Sequence, residues 1–125
     1  MLEWLRDTLR SAATSRVLTR GIKAYREGDL AAARGALDDV LAATEPGGSP
    51  AQRTHRASVR LIAVTLRAEV AAQQGDAAST RASIAEGFAL WEEARRAPKI
   101  GPRSVEAYAS WEKWARAWLE RSAGP

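Results

Sequence analysis

Apolar and small residues recur at Leu2, Leu5, Leu9, Ala13, Val17, Gly21 and Ala24, in steps of three or four that hold one face of a helix. Val59 to Ala72 is apolar around most of its circumference, interrupted mainly by Arg60, Thr65, Arg67 and Glu69, so this segment belongs at the centre of the packing. Between the periodic stretches stand two tight turn signals, Gly28-Asp29 and Gly75-Asp76, in which glycine closes one helix and aspartate caps the next. Two longer breaks, at about 45–52 (EPGGSPAQ) and 97–103 (APKIGPR), hold four of the five prolines. The pattern predicts five helices over about 2–27, 30–44, 53–74, 77–96 and 104–121, and no strand. The first is one long helix or two that break near Ser15.

The resulting single domain of 125 residues is all-α: one hairpin over about 2–44, a second over about 53–96, and a final helix. Shifting the sequence against itself by 47 positions pairs Val17 with Val64, Arg20 with Arg67, Ala24 with Ala71, Gly28 with Gly75, Asp29 with Asp76, Ala31 with Ala78 and Arg34 with Arg81. Leu37 falls opposite Ile84 in the same register. The unit helix, glycine turn, helix is therefore used twice.

These residues resemble the tetratricopeptide repeat (TPR) family over Val17 to about Leu90. Val17 stands at that family's tryptophan place, Gly21 at its small-residue place, Ala24 at its tyrosine place with Tyr25 beside it, and Ala33 and Leu37 at its alanine and phenylalanine places. Val64, Ala68, Ala71 and Ile84 follow the same rule in the second unit, where Thr80 replaces alanine; Arg20 and Arg67 stand where the family prefers leucine. The resemblance implies antiparallel hairpins stacked as a short TPR-like solenoid with a C-terminal capping helix. It also implies a groove lined by the first helix of each pair, which grips a protein or peptide partner. On that register the groove exposes Leu18, Ile22, Tyr25 and Arg26 from the first unit and Ile62, Thr65, Glu69 and Gln73 from the second. The chain contains no asparagine, which the family's clamp for a C-terminal carboxylate requires.

In the last helix Tyr108, Trp111, Trp114 and Trp118 follow steps of three, three and four, with Val105, Ala115 and Leu119 widening the stripe. Each ring can bury ~150–250 Å², so something must cover them. Two readings stand: the helix is an internal cap completed by Phe88 and Trp91, or part of the stripe, Trp114 and Trp118 foremost, is a docking surface for a protein partner or a second copy.

Charge and chemistry narrow the function. The 19 basic residues exceed the 15 acidic ones by four, in mixed rather than blocked order. Arg53, Arg56, Arg60 and Arg67 share one helical face and define an alternative, contact with nucleic acid or another polyanion, although no aromatic residue is interleaved to stack on bases. With no cysteine and one histidine, His55, the sequence lacks thiolate chemistry and a metal-ligand set, and no phosphate-binding glycine loop or nucleophile motif occurs. Asp38-Asp39 and Glu92-Glu93 diverge by ~100° on their helices and do not converge on a reacting atom. The expectation is a cytoplasmic, non-catalytic interaction adaptor or assembly subunit without cofactor, metal or membrane span. Its partner surface is Tyr25, Arg26, Thr65, Glu69, Gln73, Trp111, Trp114 and Trp118.

Overall fold

The computed structural model describes residues 2–44, 50–96 and 102–123, with side chains described for 14–44, 53, 56–96, 102 and 104–123. Five helices follow one another: α1 (Leu2–Arg26), α2 (Leu30–Ala43), α3 (Pro50–Gln73), α4 (Ala77–Ala94) and α5 (Pro102–Ser122). No strand occurs among the described residues. α1 runs unbroken through Ser15. α3 and α5 begin earlier than the pattern predicts, because Pro50 and Pro102 open them instead of closing the loops before them. Proline has no N–H to offer the helix, and at the first position none is needed. Segments 45–49 and 97–101 of the two expected loops lie outside the described residues.

The two tight turns share their closing and capping bonds at the offset of 47 seen in the sequence. Gly28 (φ 80°) and Gly75 (φ 76°) adopt the left-handed conformation that costs a side-chain-bearing residue about 1–2 kcal/mol. The Gly28 N–H donates to the Tyr25 carbonyl at 3.1 Å and the Gly75 N–H to the Ala72 carbonyl at 3.1 Å; Asp29 N–H reaches Ala24 O at 2.9 Å and Asp76 N–H reaches Ala71 O at 3.0 Å. Each aspartate then caps the next helix, Asp29 accepting from Ala32 N–H and Asp76 from Ser79 N–H, both at 3.1 Å. Such a cap contributes about 1 kcal/mol.

α1 and α2 pack on each other, as do α3 and α4; α3 also packs on α2, and α5 on α4. One buried cluster joins Ala33, Leu37 and Val40 of α2 to Ala63 and Val70 of α3, with Val17, Leu18, Ala24 and Tyr25 of α1 against it. Gly21 allows the close approach of α1 to α2, since a Cβ there would lie 3.3 Å from Ala36 Cβ. A second cluster joins Ala68 of α3 and Ile84 of α4 to Tyr108, Trp111 and Ala115 of α5. α3 thus contributes to both clusters, as its apolar circumference requires. Ala33 and Leu37 in the first unit and Thr80 and Ile84 in the second are all essentially inaccessible. The Thr80 hydroxyl donates to Asp76 O at 2.7 Å, so a buried threonine serves where alanine was expected.

Arginines fasten the hairpins together. Arg34 of α2 donates to Gln74 Oε1 at 2.9 Å and Ser79 Oγ at 2.8 Å, and pairs with Asp76 at 3.0 Å. Arg60 of α3 donates to Glu86 at 2.6 Å and to the Leu41 carbonyl at 2.8 Å, bridging α4 and α2. Arg67 does the same one face on, donating to Asp38 at 2.6 Å and Ser83 Oγ at 2.9 Å. The outer face of α5 exposes Glu106, Ser110, Lys113 and Glu120.

Candidate functional site

The indole N–H of Trp111 donates to the Thr65 carbonyl at 3.0 Å and fixes α5 beside α3. Its six-membered ring lies over Gly87 of α4, where a Cβ would sit only 2.5 Å from Trp111 Cη2. Phe88 meets the same indole edge-on, with ring centres 5.8 Å apart. Trp111 is 7% exposed and belongs to the core, while Trp114 and Trp118, half-buried, pack at that core's margin. The Arg81 guanidinium lies 5.6 Å from the Trp118 ring centre.

On either side of the bond from Trp111 to Thr65 the trough between α3 and α5 opens into a cleft. The first, about 410 Å³, is walled by Leu61, Ile62, Ala94, Trp91, Tyr108 and Trp111, with Ser58 and Ser104 at one end. Trp91 and Tyr108 stack at 4.2 Å to make one wall. Burial, reinforced by the Glu112 and Glu92 charges and opposed by Arg116, pushes the Tyr108 phenol up to about 12. Ile62, 48% exposed, lines this cleft and Val105, 42% exposed, follows the lining Ser104; they are the large hydrophobic residues most open to solvent among those described.

The second cleft, about 250 Å³, gathers Tyr25 from α1, Glu69 and Gln73 from α3, and Trp114, Trp118 and Arg121 from α5. Because Ser58 meets Ser104 at one end and Gln73 meets Arg121 at the other, α3 and α5 run side by side in the same direction. Gln73 Nε2 donates to the Tyr25 hydroxyl at 2.9 Å, which ties the end of α1 into the same face. Glu69 makes no hydrogen bond or ion pair among the described residues, and burial holds its carboxyl above the ordinary carboxylate value. The Tyr25 phenol is also raised, first by burial and then by the Glu69 charge, with the Gln73 bond acting in the opposite sense.

Of the sequence-predicted partner residues, Tyr25, Glu69, Gln73, Trp114 and Trp118 converge on the second cleft. Thr65 and Trp111 line the first, and Arg26 is exposed at the end of α1 and lines neither. Phe88 and Trp91, which the sequence offered as completing an internal aromatic cluster with the α5 stripe, do pack against it, Trp91 directly on Tyr108. What the local pattern did not signal is that Trp91 and Tyr108 also wall an open cleft.

Three of the four stripe arginines, Arg53, Arg56 and Arg60, line a separate cavity of about 240 Å³ that also contains Glu93. Arg60 and Arg67 are held by Glu86 and Asp38 inside the helix packing, which neutralises two of the four charges in place. The His55 side chain lies outside the described residues. Among the described residues no group of three or more histidines, cysteines, aspartates or glutamates is placed to hold a metal ion, and no helix is long and apolar enough to cross a membrane.

Compared with protein-family models, with curated proteins and with solved structures, the chain matches none.

Proposed function

We propose that this chain is a non-catalytic interaction module of the tetratricopeptide type, which holds a protein or peptide segment in the trough formed by α1, α3 and α5. The observation that carries this reading is the convergence of these three helices on one face. There they leave two adjoining clefts, one apolar and one holding a desolvated carboxylate among aromatic rings. A pre-formed, mostly apolar concavity with a few polar groups is the usual form of a recognition site. The duplicated Gly-Asp turns support the repeat architecture, because a binding trough arises when equivalent helices are set side by side. The exposed polar face of α5 supports a capping role for that helix, with Trp111 as its internal anchor and Trp114 and Trp118 turned to the trough.

The test begins with affinity recovery from the native cell and continues with the purified partner titrated against the wild-type chain and the Trp118→Ala variant. Loss of affinity at least about tenfold, with helix content retained, supports the trough; ordinary affinity in the variant, or turnover of a small metabolite by the isolated chain, overturns it.

A further inference from the structure

The two clefts differ in chemistry, and their separation is set by the helix between them. Residues 58–65 of α3 line the apolar cleft and residues 69–73 line the other, so their centres are about nine residues, or ~13 Å, apart along the helix. An extended chain advances ~3.3 Å per residue and spans that distance in about four residues.

The charge in the second cleft decides what enters it. Glu69 is the desolvated group there, without a counter-ion among the described residues, whereas Arg121 at the same cleft is exposed and its charge is screened by water. A cation entering the cleft meets a carboxylate without a counter-ion among the described residues, in a medium of lowered dielectric, with the aromatic side chains of Tyr25, Trp114 and Trp118 lining the same cleft. An acidic side chain meets like charge at the same place. The raised Glu69 carboxyl has the same origin, a negative charge held where water solvates it poorly.

Building on the trough reading above, we infer that the partner is an extended peptide segment that places a lysine or arginine side chain in the Glu69 cleft. A large apolar side chain four residues away fills the cleft between Leu61 and Tyr108. Both contacts are made at once because the spacing of the clefts matches the spacing of alternate same-side positions on an extended chain.

The probes are capped synthetic peptides of glycine and serine carrying phenylalanine at one position and lysine, arginine, norleucine or glutamate four residues on, in both chain orders. Binding to the full chain is followed by tryptophan fluorescence and by the NMR shifts of the indole N–H groups. The lysine and arginine peptides bind at least about tenfold tighter than the norleucine and glutamate peptides and move the Trp114 and Trp118 indole signals. Glu69→Gln, with helix content verified by circular dichroism, removes that preference; replacing the phenylalanine by glycine weakens every peptide. Equal or tighter binding of the norleucine or glutamate peptides overturns the cation assignment while leaving the trough intact. Absence of binding by every peptide at millimolar concentration, in either order, overturns the trough reading along with it.

Discussion

Gly87→Ala places a methyl group where there is no room for it. The added Cβ would stand 2.5 Å from Trp111 Cη2, 3.1 Å from Cζ3 and 3.2 Å from Cζ2, so the indole has to move. It is poorly placed to do so: its N–H is bonded to Thr65 O at 3.0 Å, Phe88 meets it edge-on and Tyr108 and Trp114 flank it. Overpacking of this kind costs about 1–3 kcal/mol, and loss of the indole hydrogen bond adds about 1 kcal/mol. Alanine recovers about 1 kcal/mol as the better helix former, leaving a net destabilisation of about 1–3 kcal/mol. Gly35→Ala is the control. It lies exposed in α2 with nothing within 4 Å of the new Cβ, and gains about 0.5–1 kcal/mol. Thermal and urea unfolding followed by circular dichroism should move in opposite directions for the two variants, at about 4 °C per kcal/mol for a chain of this size. If Gly87→Ala were as stabilising as Gly35→Ala, Trp111 would not lie over α4 and would not wall the apolar cleft.

The duplicated turns predict that Gly28→Ala and Gly75→Ala each cost about 1–2 kcal/mol in urea unfolding, and costs differing by more than about 1 kcal/mol would contradict their equivalence. Tyr108 is raised from 10.0 to about 12 in the folded chain, so the stability it confers is complete below pH 10 and is lost as pH rises toward 12; phenolate absorbance should show one tyrosine ionising late, together with unfolding. For Glu69 the folded carboxyl is raised above 4.5, which favours the protonated form in the folded state. Its contribution is therefore greatest below 4.5 and is lost as pH rises through the folded value, so Glu69→Gln should raise the melting temperature at neutral pH, and a lower one would refute the desolvated carboxylate. Arg67→Leu removes the bonds to Asp38 and Ser83 and should lower stability by about 1–2 kcal/mol while leaving peptide affinity unchanged, because that side chain fastens α3 to its neighbours; lost affinity with unchanged stability would return it to the trough.

The helices and both tight turns were legible in the sequence because their signals are local. A period of three or four, a glycine and a capping aspartate act within a few residues of themselves, and the 47-residue shift shows the same local solution used twice. Pro50 and Pro102 read as loop residues because proline marks a break in either role; only the backbone on its C-terminal side distinguishes a closing proline from an opening one. The second cleft was legible in part, since Tyr25, Glu69 and Gln73 follow from the register of the repeat and Trp114 and Trp118 from the aromatic stripe. The apolar cleft was not, because its walls depend on how α5 is rotated against α4. That rotation is fixed by Trp111 finding Gly87, two residues 24 positions apart whose fit is a matter of volume rather than of pattern. The pairing within the arginine stripe was hidden for a related reason. A shared helical face is visible in sequence, but the carboxylates that neutralise Arg60 and Arg67 come from α4 and α2.

The recurring arginine of the second helices links repeat to function. Arg34 reaches from α2 to Gln74, Asp76 and Ser79 at the turn of the next hairpin, and Arg81, its counterpart 47 positions on, reaches from α4 to the ring of Trp118. In both units the residue faces the element that follows, so α5 receives from α4 the kind of contact that the second hairpin receives from α2. The difference lies in what is received. In the first unit the guanidinium meets a carboxylate and two neutral acceptors and is satisfied by them; in the second it meets an indole, to which a cation–π contact contributes about 0.5–1 kcal/mol at an exposed site. Trp118 is thereby held from its α4 side by a cation. On the proposed reading Trp118, together with Trp114 and Glu69, which has no counter-ion among the described residues, receives a second cation brought by the partner. On that reading, a repeat contact that fastens the structure in one unit positions an aromatic ring for recognition in the next.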